Sequence, residues 1–140
     1  MQLKEQAKAY IEALGLNSVN LDEIINWADS IILNEVDPQL TVIELASAKN
    51  KSEVVTALNK LAKEANELIA IQILFGILYK SLSSGASNYS EVAKRLYFWN
   101  SYESESTTFN GVSRFWDALD LEDREKVEIE MLKYLRDNSA

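Results

Sequence analysis

Chemistry near neutral pH usually starts from histidine or cysteine, and this chain has neither. Without histidine there is no ordinary general base, no Ser-His-Asp triad and no imidazole ligand for zinc. Without cysteine there is no thiolate nucleophile, thiolate metal site or disulfide, which fits a reducing compartment. Carboxylates remain. Glu64 and Glu67 stand three apart, as do Glu122, Glu125 and Glu128. On a helix that spacing stacks acids one turn apart, where a pair can share Mg²⁺. All-α phosphohydrolases of this type need E-x-x-E on one helix and E-x-x-D on another, and no E-x-x-D helix accompanies the first motif here. The acids Asp117, Asp120, Glu122 and Asp123 lack the turn glycine and spacing of a Ca²⁺ loop. Neither G-x-x-x-x-G-K-[ST] nor G-x-G-x-x-G occurs, so no motif supports nucleotide binding. A carboxylate-metal phosphohydrolase is therefore kept as an alternative, and the leading expectation is a protein that is not an enzyme and uses no cofactor or metal.

Charge is more informative than any catalytic motif. The chain of 140 residues carries 14 basic and 22 acidic side chains, a net charge of −8. Residues 9–48 hold seven acids (Glu12, Asp22, Glu23, Asp29, Glu35, Asp37, Glu44) and no lysine or arginine. Residues 49–100 carry a net +3 and residues 101–140 a net −5, so two acidic blocks flank a mildly basic middle. A surface that needs only solubility usually mixes both signs. Forty residues without a cation point instead to an anionic patch that steers a basic partner. Nucleic acid and anionic membranes are disfavoured, because both attract cations.

The aromatic residues are also uneven. Tyr97, Phe98, Trp99, Tyr102, Phe109, Phe115 and Trp116 are seven of the thirteen in the chain and fall within 20 residues. Neighbours on a helix differ by about 100°, so Phe98-Trp99 and Phe115-Trp116 cannot each point wholly inward. Tyr102 and Phe109 lie in a polar stretch with Glu103 and Glu105, and aromatics beside acids on a loop suit a binding hot spot.

The elements that must position these groups are helical. With 47% hydrophobic residues, one proline and four glycines, the chain should bury a core without staples. Apolar periodicity predicts a helix over 2–14 with Gly15 as its stop, and a second over about 21–34 with Asn20 as N-cap. Leu21, Ile24, Ile25, Ala28, Ile31 and Ile32 form the inward stripe of the second, and Asp22, Glu23, Asn26, Asp29 and Ser30 face the other way. Asp37-Pro38 predicts N-cap and first position of a short helix to about Ala48, and Ser52 the cap of the next. A turn near Asn66 opens the most apolar run, 68–79, which is 12 residues long. That is short of the roughly 20 a bilayer span needs, so it should be a buried central helix. Residues 83–88 form the clearest loop. Further helices are expected over about 89–99, 111–119 and 121–136, with 101–110 a loop or marginal turn. The fold class is all-α, a single domain over 1–140 of seven or eight helices, arranged as an irregular αα-hairpin array or bundle around the central apolar helix. The opening MQLKEQAKAY lacks the apolar centre of a secretion signal, so a cytoplasmic location is expected.

The stretch Ile25-Asn26-Trp27-Ala28-Asp29-Ser30-Ile31-Ile32, followed by Asp37-Pro38 and by Ile43-Glu44-Leu45-Ala46, resembles a pattern in small helical immunity proteins. These accompany bacterial polymorphic toxins, including contact-dependent growth-inhibition systems. The shared shape is a W-x-D helix, a proline-started helix with an apolar-acidic-Leu-small segment, and a serine-capped helix, here Ser52-Glu53-Val54; it covers residues 20–60. The resemblance implies a cytoplasmic inhibitor that binds one cognate toxin domain, often a nuclease, and transfers no catalytic residues. A helical adaptor or regulatory subunit with another protein partner is the alternative. The candidate contact residues are Asp22, Glu23, Asp29 and Asp37 in the first acidic block. In the second they are Tyr102, Glu103, Glu105, Phe109, Trp116, Asp117, Asp120, Glu122 and Asp123.

Overall fold

Asparagine starts half of the helices. In the computed structural model, which describes residues 2–103 and 114–139 with side chains placed at 2–97 and 114–139, the helices are α1 (Leu3–Gly15), α2 (Leu21–Asn34), α3 (Leu40–Ala46), α4 (Lys51–Leu61), α5 (Glu67–Ser83), α6 (Tyr89–Glu103), α7 (Phe115–Leu121) and α8 (Arg124–Asp137). The side-chain oxygens of Asn20, Asn50, Asn66 and Asn88 accept hydrogen bonds from the amides of Glu23, Glu53, Ile69 and Glu91, at 2.8, 2.9, 3.1 and 3.2 Å. Each satisfies one of the backbone donors that the first helical turn leaves unpaired.

Several expected boundaries move, for local reasons. α1 runs through Gly15, and the reversal falls on Asn17, whose φ of 56° is left-handed. The amides of Asn17 and Ser18 return to the carbonyls of Leu14 and Ala13, closing the helix end. Asp37 and Pro38 do not open α3; they lie in the link, and α3 begins at Leu40 after Gln39. Ser52 is inside α4, because Asn50 captures the amide of Glu53 first and donates to its carboxylate in return. α6 continues to Glu103, past the expected end near 99. Of the loop expected over 101–110, residues 101–103 are the last of α6 instead, and the rest, with the helix start at 111, lies outside the described residues.

One cluster of buried apolar side chains draws on all eight helices. α5, the apolar run, packs on α1 and on α8; it buries Ala70, Leu74, Phe75, Leu78 and Leu82. α1 and α5 run parallel. At one end the Glu5 carboxylate accepts from the Asn66 amide at 3.0 Å and Lys8 pairs with Glu67 at 2.9 Å. At the other, the Ser18 and Ser87 hydroxyls meet at 2.8 Å, and Ser87 also bonds Ser81. α1 touches α4 as well as α5, and it buries Ala7, Ala9 and Ala13, small side chains that let helices approach closely on both flanks. α2 lies at the far side, held by α3, which leans on α4.

Candidate functional site

α2 is built as two opposed faces. Ile24, Ala28 and Ile31 are buried at the 3.6-residue period. Trp27, the tryptophan of the W-x-D segment, packs its ring edge-on against Tyr10 of α1, centroids 5.1 Å apart, so its role in the fold is structural. About half a turn away from the buried stripe, Asp22, Asn26, Asp29 and Leu33 follow one another at intervals of four, three and four, and all are exposed. Glu23 stands off this stripe. Its charge helps raise the pKa of the Tyr10 phenol, although burial of that phenol is the larger cause, and it lines a shallow depression with Tyr10, Ser18 and Lys80.

Among the described residues, cations from the rest of the fold reach two of the seven acids of this block. Arg95 on α6 binds Glu12 through Nε and Nη2 at 3.0 and 2.7 Å, and Lys60 on α4 meets Glu44 at 3.4 Å. Among the described residues, Asp22, Glu23, Asp29, Glu35 and Asp37 have no ion pair, and all five are exposed. These five carboxylates are spread over α2 and its link to α3.

The second acidic block is arranged differently. Asp117, Asp120, Glu122, Asp123 and Glu125 are exposed around the α7–α8 junction and, like the five of the first block, have no ion pair among the described residues; what differs is that Arg114, Arg124 and Lys126 lie among them in the sequence. Arg114 pairs with Glu130 at 2.7 Å, Arg124 with Glu128 at 3.1 Å and Arg136 with Asp137 at 3.4 Å. The hydrogen bond from Arg114 holds the Glu130 carboxyl below its ordinary pKa. Phe115 is buried against Tyr134, while its neighbour Trp116 is half-buried against Tyr97, centroids 5.0 Å apart, as adjacency on a helix requires. Tyr102 and Glu103 belong to the α6 backbone, and their side chains, with Glu105 and Phe109, lie outside the described residues.

Of the spaced carboxylates considered for metal chemistry, Glu125 and Glu128 share a helix, α8, and the others do not. Glu64 sits in the α4–α5 turn at φ 65°, whereas Glu67 begins α5 and is engaged by Lys8. Glu122 precedes α8, and Glu128 is engaged by Arg124. Among the described residues no group of three or more acids is placed to hold a metal ion, and no helix is long and apolar enough to cross a membrane.

A feature that periodicity did not flag lies beside the acidic stripe. Leu33, Val36, Leu40 and Ile43 are exposed at the end of α2, in the link and on α3. Leu33 falls two residues after the buried Ile31 and so off the inward stripe, which was the available sign. No family model, curated protein or solved structure matches the chain.

Proposed function

We propose that the protein acts by binding rather than by catalysis, as an immunity-type inhibitor that covers the cationic active site of a cognate toxin domain, a nuclease being the class that fits best. The observation that carries this reading is the set of five exposed carboxylates, Asp22, Glu23, Asp29, Glu35 and Asp37, which have no ion pair among the described residues and lie in a forty-residue run without lysine or arginine. A nuclease must present lysine and arginine to phosphates. A rigid helix that offers carboxylates to the same groups competes with nucleic acid and needs no chemistry of its own. The W-x-D segment supports the reading in a further way: its tryptophan fixes α2 to α1 while its aspartate, Asp29, faces outward.

The test is capture and inhibition. Immobilised protein should retain, from cells of its source, a basic protein whose nucleolytic activity falls to zero at a one-to-one ratio. Reversing Asp22, Asp29 and Asp37 to lysine should slow association by about tenfold or more and flatten its dependence on salt. If those reversals, and equivalent ones at Asp120 and Asp123, leave association untouched, the electrostatic reading fails.

A further inference from the structure

Among the described residues seven large apolar side chains are exposed, and four of them, Leu33, Val36, Leu40 and Ile43, fall within eleven residues. The other three, Leu68, Leu121 and Ile129, are scattered over α5, α7 and α8. Single exposed apolar residues need no explanation, but a cluster does. Leu33 is 85% exposed, Leu40 70% and Ile43 41%, and Val36 is fully exposed. α3 buries Val42 and Leu45 on one side. Leu40 and Ile43 are one turn apart and remain uncovered on the other. The fold has thus spent only half of the apolar surface of this seven-residue helix on its own core.

The charge around the corner says what covers it. Asp29 precedes Leu33 by one turn, and Glu35 and Asp37 flank Val36. A second copy of the chain, docked about a two-fold axis, would set these acids against themselves. An anionic lipid surface would be repelled as well. A cationic protein surface that presents an apolar side chain among lysines or arginines satisfies both parts at once: apolar centre, charged rim.

We propose that the α2–α3 corner is the anchor of the interface, taking apolar side chains of a basic protein partner, while the bare carboxylates of α2 steer it into place. This rests on the binding reading above and adds a division of labour. The acids set the rate of association, and Leu33, Val36, Leu40 and Ile43 set the lifetime of the complex.

Three short peptides of equal length test it on the full-length, ¹⁵N-labelled protein: lysine–leucine, lysine–serine and glutamate–leucine. The lysine–leucine peptide should bind most tightly and shift backbone amides over residues 29–44. The variant Leu33→Ser/Leu40→Ser, which alters only solvent-facing side chains, should keep its helical circular dichroism. It should weaken that peptide by about tenfold and leave the weaker lysine–serine binding unchanged. Equal binding of the two lysine peptides would overturn the anchor and leave the acidic face standing, whereas no binding of either would remove both. Amide shifts centred on Leu121 or Ile129, or self-association of the protein through this corner, would also overturn it.

Discussion

The two acidic ends of the molecule differ less in charge than in company. On α2 and its link to α3, five acids stand exposed without an ion pair among the described residues. Around α7 and α8, Arg114, Arg124 and Arg136 hold Glu130, Glu128 and Asp137, and Asp117, Asp120, Glu122, Asp123 and Glu125, exposed without an ion pair among the described residues, have those cations interleaved with them in the sequence. Exposed ion pairs contribute little to stability, so neither arrangement is required for folding. The difference lies in what is left for a partner. Carboxylates interleaved with guanidinium groups offer a weaker net field than a run of acids with no cation among them.

Rigid anchoring of both faces can be checked first, and the expected effect is the largest. Ile24 under α2 and Leu135 under α8 are both fully buried. Truncation of either to alanine should cost about 2–5 kcal/mol, read as a lower denaturant midpoint at unchanged slope. A near-neutral Ile24→Ala would mean that α2 is loosely held and its face not preorganised, which would break the comparison.

The α8 end carries a cost that α2 lacks. Among the described residues the buried Tyr134 hydroxyl has no hydrogen-bond partner, and the rings of Phe75 and Phe115 pack against the tyrosine ring. Burial pushes its pKa up from the ordinary phenol value. A raised folded-state pKa means that the stabilisation is complete below about pH 10 and lost as pH rises through the folded value. Tyr134→Phe should therefore raise stability by about 1 kcal/mol at neutral pH and lessen the alkaline loss, both measured by denaturant unfolding at several pH values.

A cation grafted onto α2 would make that face resemble α8. Asn26→Arg places a guanidinium one turn from both Asp22 and Asp29. Stability should rise by about 0.3 kcal/mol, while association with a basic peptide slows and loses part of its salt dependence. The smallest effect belongs to the paired side. Arg114→Gln should return the Glu130 carboxyl to its ordinary range, followed by NMR titration of its side chain. The folded pKa of Glu130 lies below the ordinary value, so the pair contributes above the ordinary carboxylate range and is lost as pH falls through the lowered pKa.

Much of the architecture could be read from local signals. Asn20 and the period of Ile24, Ala28 and Ile31 located α2 and its two faces, and the apolar run placed α5 at the centre. Where two signals competed, proximity to the backbone decided. Asn50 rather than Ser52 caps α4, and Asn17 rather than Gly15 takes the left-handed position. Pro38 misled because its fixed φ suits a link as well as a first helical turn. The outward position of Asp22 and Asp29 followed from helical geometry, but their lack of partners could not. Arg95 finds Glu12 from 83 residues away, and only the fold determines that, among the described residues, no cation does the same for Asp29. The exposed corner was hidden for a related reason: on a helix as short as α3, Leu40 and Ile43 read as core, and only the fold shows them exposed.

Location and amount of charge are separated by two variants that each remove three formal charges. One is Asp22→Asn/Asp29→Asn/Asp37→Asn, and the other Glu122→Gln/Asp123→Asn/Glu125→Gln. Their affinities for the lysine–leucine peptide, measured calorimetrically at low salt, should diverge. The first should weaken binding by about tenfold, each exposed charge being worth about 0.5 kcal/mol, and the second by less than about threefold. Equal losses would mean that the peptide senses only net charge, and would contradict a docking role for α2.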